Sequence, residues 1–368
     1  MGKNILICVS LLLFCLSQGA QAGEQGHGSG EEKRISWSVF PFIMYDTDIG
    51  FGYGGKGKVV NLLKLRESFD LFLFNSTKGE RTYEFIFSIP DVEIRQGTVY
   101  GLSFDLKAGY TKYLNQYYYG TGPDSSKDDL THFTDEKKEL LLTLGRGLTP
   151  HFIAQVQYAF KNIHYFDVED DKPFTEELRR VGEQYSPYAA VLLRYDTSDS
   201  QIHPQRGVRL ILKGDFAGSW LGNGNASFFR YGLDLRGYTH FLSGRNVMSV
   251  RGLVQKISGD EIPLFELPDL GGHSEFSALR GYQFNRFRDK GKILINAEYR
   301  FHLWKKLGGN LFVDAGSVWP EWSRIRLDTF VATAGWGLRY YLKEFVVRFD
   351  MGFSPEGVGI YFNFNHVF

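Results

Sequence analysis

From residue 35 to the end of the chain, apolar and polar residues alternate with a period of two. Tyr83, Phe85, Phe87 and Ile89 alternate with Glu84 and Ser88, and Leu102, Phe104, Leu106 and Ala108 with Ser103, Asp105 and Lys107. The same beat returns in Val208, Leu210 and Leu212, in Phe229, Tyr231, Leu233 and Leu235, in Ile293, Ile295, Ala297, Tyr299 and Phe301, and in Phe345, Val347, Phe349, Met351 and Phe353. Successive side chains of a strand point to opposite faces, so each run carries one apolar and one charged face. No segment keeps a helical period. Sixteen strands are predicted, over residues 35–45, 49–60, 68–78, 81–92, 97–110, 138–147, 151–164, 184–196, 206–219, 226–240, 246–258, 291–303, 308–317, 329–341, 345–353 and 357–368.

The connections sort by length. Those after even-numbered strands are mostly short, as at 148–150, 242–245, 305–306 and 343–344, whereas three after odd-numbered strands are long, at 111–137, 165–183 and 259–290. Short turns at one end and long loops at the other are the habit of a transmembrane barrel, with the short turns on the periplasmic side. Pro41 falls in the first strand, where a residue without a ladder N–H suits an edge or a kink.

The N-terminus strengthens the membrane reading. Lys3, an apolar run from Ile5 to Leu16 and Ala20-Gln21-Ala22 have the form of a secretory signal over residues 1–22, with a polar tail at 23–34 and the barrel at 35–368. The apolar run is too short to span a bilayer as a helix. Both cysteines, Cys8 and Cys15, lie in that leader, so disulfides, thiol catalysis and thiolate metal sites are excluded from the mature chain. Aromatic residues make up 16% of the chain, and mean hydropathy is −0.24. That average is expected where only alternate residues meet lipid. Lys+Arg and Asp+Glu are both 42, so nothing points to nucleic acid. The expected location is the outer membrane of a Gram-negative cell. A soluble sandwich would also alternate, with its apolar face turned in.

The 259–290 loop holds the most informative short stretch, Leu279-Arg280-Gly281-Tyr282. A loop of this length usually has a function. Folded into a hollow barrel, its arginine needs a carboxylate. Leu311, Val313 and Ala315 lie on the apolar face, so Asp314 lies on the inner one, and Glu298 is inward by the same test. Val250-Arg251-Gly252 is a similar tripeptide inside a strand pattern and is read as a decoy. His273-Ser274 could suggest a lipid-active enzyme, but neighbours on a loop need not converge. Asp124, Asp128, Asp129 and Asp135 could suggest a calcium site, but their spacing is not that of an EF-hand, and a solvated acidic loop is the simpler reading. No cofactor or metal is expected, nor any catalytic residue.

Five stretches resemble the BamA/TamA-type superfamily of bacterial surface antigens. They are Tyr118-Tyr119-Gly120-Thr121-Gly122, Tyr195-Asp196-Thr197-Ser198-Asp199 with Pro204 and Gly207, Leu279-Arg280-Gly281-Tyr282, Phe312-Val313-Asp314 with Ala315-Gly316, and Gly335-Trp336-Gly337. The chain's end, with Phe362, Phe364 and Phe368, is similar to the C-terminal targeting signal of outer-membrane barrels. The resemblance implies an all-β fold, a sixteen-stranded antiparallel transmembrane barrel whose long sixth outer loop folds into the lumen. There Arg280, with Gly281 and Tyr282, locks the loop against Asp314, with Glu298 as the fallback partner, and Phe312, Gly335 and Gly337 are strand motifs. It also implies export or insertion of protein or lipid at the outer membrane, assembly by the barrel-assembly machinery, and contact with outer-membrane lipid. The periplasmic substrate-receiving repeats usual in the family are not found in the sequence. A passive pore, a surface-exposed structural protein and a lipid-active enzyme stay open as alternatives, as do the protein substrate and a homo-oligomer.

Overall fold

The computed structural model describes residues 35–46, 50–222, 226–241, 246–341 and 346–368. The leader and tail expected over residues 1–34 lie outside them. The strands are β1 Ser36–Asp46, β2 Gly50–Val60, β3 Ser68–Ser76, β4 Arg81–Ile89, β5 Tyr100–Tyr118, β6 Thr131–Gly147, β7 Phe152–Phe166, β8 Glu183–Asp196 and β9 Gly207–Ala217. They continue as β10 Ser227–Phe241, β11 Asn246–Glu261, the two-residue β12 Asp269–Leu270 and β13 Phe287–Arg288, then β14 Gly291–Trp304, β15 Leu307–Trp319, β16 Val331–Tyr341, β17 Val346–Ser354 and β18 Gly357–Phe364. All but β12 and β13 join one 16-stranded sheet in chain order, each strand antiparallel to the next, with β14 following β11. The interruption holds β12 and β13, which pair only with each other.

The two ends of this order approach each other. The Phe364 ring of β18 lies 5.8 Å from that of Phe40 and 6.4 Å from that of Phe42, both on β1. Burial is inverted relative to a soluble domain. Leu71, Val191, Val250, Leu311 and Val313 are exposed, whereas Arg251, Glu298, Arg300, Asp314, Arg339 and Asp350 are buried. Ionised side chains are almost never fully buried without partners, and a sheet with a lipid-facing outside is the common way to expose so much aliphatic surface. No helix among the described residues is long and apolar enough to cross a membrane.

Three expected boundaries move furthest. Strands predicted at 97–110 and 138–147 extend to Tyr118 and back to Thr131, so much of the long loop at 111–137 is a hairpin arm. Asn115, in the left-handed region at φ 52°, lies where the register shifts between Tyr113 and Gln116. A bulge of this kind absorbs an extra residue, after which pairing resumes. The last strand, expected to run to 368, stops at Phe364. Asn365 is left-handed at φ 59° and donates its N–H to the Val346 carbonyl at 2.6 Å, which turns the final residues off the sheet. The loop at 165–183 carries a short helix, Thr175–Val181.

The apolar core lies on the charged face of the sheet, because the loop before β14 covers it. Leu270, Leu279, Tyr282 and Phe287 pack on Leu253, Leu294 and Val318 of β11, β14 and β15. A second cluster joins Leu264 of the loop to Phe133, Ile163, Tyr165 and Leu178.

Candidate functional site

The register of the last strands builds a hollow. Glu298 of β14 stands opposite Phe312 of β15, Phe312 opposite Gly335 of β16, Gly335 opposite Gly352 of β17, and Gly352 opposite Gly359 of β18. Two large side chains give way to three glycines along one row. A Cβ on Gly335 would overlap the Phe312 ring, and one on Gly337 would collide with the Asp350 carboxylate. A Cβ on Gly352 would stand 2.5 Å from the Arg280 carbonyl carbon and 2.8 Å from the Gly281 nitrogen. In return, a Cβ on Gly281 (φ 114°) would meet backbone atoms of residues 352–354 at 2.9–3.1 Å. Loop and strand therefore touch backbone to backbone, an approach that glycine alone permits on both sides.

The Arg280 guanidinium, fully buried, ends in this hollow. Its Nε donates to Asp314 Oδ2 and its Nη2 to Asp314 Oδ1, each at 2.8 Å, the bidentate fork for which arginine is suited. Nη1 donates to Glu298 Oε1 at 2.7 Å and to Asp350 Oδ2 at 3.2 Å, and the Arg280 backbone N–H reaches Asp314 Oδ2 at 3.2 Å. The guanidinium carbon sits 3.5 Å from the Phe312 ring centroid, so strands β14, β15 and β17 supply carboxylates and β15 an aromatic floor. Burial alone would lower the Arg280 pKa, but Asp314 and Glu298 drive it well upward. The flanking backbone is bound as well. Gly281 N–H donates to Tyr361 Oη at 2.9 Å, Tyr361 Oη donates to the Tyr282 carbonyl at 3.1 Å, and Ser354 Oγ donates to the Gly281 carbonyl at 2.9 Å.

Three more arginines complete the cluster. Arg300 Nε donates to Glu298 Oε2 at 2.8 Å, Arg339 Nη1 to Asp350 Oδ1 at 2.6 Å, and Arg348 Nε lies 3.6 Å from Asp350 Oδ2. Asn296 Nδ2 bridges Asp314 Oδ1 at 2.8 Å and the Ala278 carbonyl at 2.9 Å. Taking charges out of water is expensive, and mutual pairing with good geometry offsets it. Such a network is a poor source of net stability but a strong source of register, since any other seating of the loop leaves charges alone.

The loop is held elsewhere by similar means. Glu266 pairs with Arg230 and, at 3.2 Å, with Lys161. Burial would raise the Glu266 carboxyl, but Lys161 and Arg230 hold it down at about 2. Arg251 is not idle. It is fully buried on β11, donates to both Asp234 oxygens at 2.9 and 2.6 Å and also reaches the Glu275 carbonyl. Lys292 Nζ donates to the Asp269 and Phe276 carbonyls at 3.1 and 2.7 Å. From the connection after β5, Gly122 N–H donates to the Arg288 carbonyl at 2.8 Å, and Arg286 stacks over Tyr119 at 4.7 Å, so the Tyr-Tyr-Gly-Thr-Gly stretch abuts the same loop.

The remaining candidates fall into place by geometry. Asp196 caps its own turn through Ser198 N–H at 2.9 Å and pairs with Arg209 at 2.8 Å. Phe362 and Phe364 stand opposite Phe349 and Val347 on the outward row, but Phe368 turns inward. Its carbonyl accepts from Arg300 Nη2 at 3.0 Å, so the end of the chain connects to Arg280 through Arg300 and Glu298. His273 packs between Phe284 and Tyr361 at 5.0 and 4.9 Å, while Ser274 is exposed, and no hydrogen bond among the described residues joins them. Asp124 faces Arg326 at 3.1 Å and Asp135 lies on β6, so the four aspartates do not gather. Sequence reasoning missed Asp350, Arg300, Tyr361 and Gly352 as parts of the site. Strand parity already turned Asp350 inward, but nothing local marked which inward carboxylates the arginine would reach.

A family model described as the Omp85 superfamily domain matches residues 61–368. Among solved structures, the chain is similar to BamA from Haemophilus ducreyi lacking POTRA domains 1-3, at 15% identity and a TM-score of 0.61, over 90% of this chain and 70% of that one. It is also similar to CdiB from Acinetobacter baumannii (14%, TM-score 0.57, 90% and 65%) and CdiB from Escherichia coli (12%, TM-score 0.61, 90% and 62%). The chain thus spans just under two thirds of each CdiB chain. No curated protein matches it.

Proposed function

Because the chain belongs to the Omp85 superfamily, we propose that it is an outer-membrane barrel of the BamA/TamA type, closed by β1 against β18 and plugged by its own 259–290 loop. In this reading it takes part in export or insertion of protein, or of lipid, across or into the outer membrane, and has no catalytic centre. The observation that carries the proposal is the seating of Arg280. A guanidinium fully buried among Asp314, Glu298 and Asp350 is an expensive arrangement that an ordinary surface loop has no need of. It makes sense as a catch that holds a plug in a conduit and can be exchanged for an open state. The exposed aliphatic rows of the sheet are the lipid-facing surface, and the loops around Tyr119 and Arg286 form its external cover.

Three measurements test the reading. Fractionation should recover the chain in the outer membrane with heat-modifiable mobility, and recovery as a soluble protein would end it. Cells lacking the protein should lose at least one protein or lipid species from the outer membrane or the medium, by quantitative comparison with complemented cells. An unchanged inventory, together with steady large currents from the purified protein in planar bilayers, would make it a passive pore.

A further inference from the structure

The turn between β2 and β3, residues 61–67, reads Asn-Leu-Leu-Lys-Leu-Arg-Glu. Turns are normally polar, yet Leu62, Leu63 and Leu65 are 50%, 56% and 58% exposed. They are held in that position. Asn61, Lys64 and Arg66 are all left-handed, at φ 61°, 64° and 64°. Glu67 is fully buried beneath the turn and accepts the N–H groups of Leu63 and Leu65 at 2.6 and 2.9 Å, while Asn61 Oδ1 accepts that of Arg66 at 3.0 Å. A carboxylate spent on backbone donors leaves the leucines with nothing to do inside the protein. The turn is also tied to its neighbour, since Asp91 N–H donates to the Arg66 carbonyl at 2.6 Å. This is a rigid display of apolar side chains.

Its surroundings say what it faces. Adjacent strands are antiparallel, so the turn after β2 lies at the opposite end of the sheet from the loop after β11. Trp37, Val59, Phe69 and Phe87 stand opposite one another in sequence on β1 to β4, as the last outward row before that end. Trp37 is 72% exposed, the place and residue type of an aromatic belt at a membrane surface. The chain leaves this row at Val59 and returns to it at Phe69, and the exposed leucines lie between those two points. Lys64, exposed beside them, adds a cation that phosphate headgroups attract.

We infer that this turn is an interfacial anchor, with Leu62, Leu63 and Leu65 seated at the headgroup–acyl boundary of the periplasmic leaflet and Lys64 at a lipid phosphate. The inference rests on the barrel reading, and its ligand class is phospholipid.

The test uses the chain without its leader, which then has no cysteine. Leu63→Cys, labelled with an environment-sensitive fluorophore, is reconstituted into phosphatidylcholine–phosphatidylglycerol vesicles carrying nitroxide lipids. Leu71→Cys, an outward position on β3, serves as the control for strand insertion. Both probes should be quenched by lipid, Leu63→Cys best by a nitroxide near the headgroup and Leu71→Cys best by a deep one. Adding Leu62→Ser and Leu65→Ser should reduce quenching at residue 63 by about twofold or more while leaving Leu71→Cys unchanged. Quenching at 71 with residue 63 open to aqueous iodide would overturn the anchor and leave the barrel standing. Absence of lipid quenching at both would overturn the barrel reading itself. Shielding of residue 63 only after periplasmic extract is added would assign the turn to a protein partner and overturn the lipid assignment.

Discussion

Gly352 lies directly under the backbone of Arg280. A Cβ there would stand 2.5 Å from the Arg280 carbonyl carbon and 2.6 Å from its oxygen, closer than side chains pack. The seat of the loop is thus a steric fact of β17 as much as an electrostatic one, and the two can be separated by substitution.

Gly352→Ala removes no charge and no hydrogen-bonding side chain, yet it should lift Leu279–Tyr282 from the sheet. The expected outcome is the phenotype of a lost arginine: larger single-channel currents and faster protease cleavage of the 259–290 loop. Overpacking of this kind costs about 1–3 kcal/mol. Wild-type currents and wild-type cleavage in Gly352→Ala would show that the contact has no energetic weight.

Arg280→Ala leaves Asp314 with Asn296 and the backbone N–H of residue 280, whereas Asp314→Ala leaves Arg280 with Glu298 and Asp350. Removing one partner of a buried pair costs about 3–5 kcal/mol, so Arg280→Ala should unseat the loop and Asp314→Ala should do so less completely. The double variant should resemble Arg280→Ala, because the two effects are not additive. Temperature of loss of the folded gel band, measured for the three variants, checks the order. Strict additivity would mean the residues act separately.

His273 gives the seat a pH dependence. Burial, with Arg348 and Arg280 nearby and Asp350 opposing them, lowers its pKa to about 3. The unfolded value is near 6.5, so the undocked loop binds the proton first. The contribution to docking is intact above about pH 6.5 and declines as pH falls toward 3, by at most about 1.4 kcal/mol per unit. Protease accessibility of the loop should therefore rise from pH 7 to pH 4, and His273→Gln should flatten that slope. An equal slope in both proteins would remove His273 as the cause.

Phe368 carries two separable roles. Its carbonyl accepts from Arg300, and with Val367 it packs on Tyr238 and Ala278. Deleting Val367-Phe368 should impair assembly in cells, as loss of a targeting signal would. It should also lower the heat stability of protein refolded in detergent, which a pure targeting role would not do. Normal refolded stability would confine these residues to targeting.

What the sequence determined was whatever depends on neighbours along the chain. Alternation at Ile293 to Phe301 and Leu311 to Ala315 set which side chains share a face, because a strand's period is two. Hence the all-β reading, the inward Asp314 and Glu298, and the need of an inserted Arg280 for a carboxylate were legible without coordinates. The tertiary structure decided what depends on how far the loop travels and where it lands. Asp350 was inward by parity, yet only the seating of Arg280 across β14, β15 and β17 made it a ligand. Arg251 looked like a stray tripeptide because its meaning lies in Asp234 on the adjacent strand and Glu275 in the loop. Phe368 was expected as the end of the last strand, and a left-handed Asn365 turned it off the sheet to Arg300. Gly352 had no local signature, since a glycine in a strand announces a close approach but not what approaches.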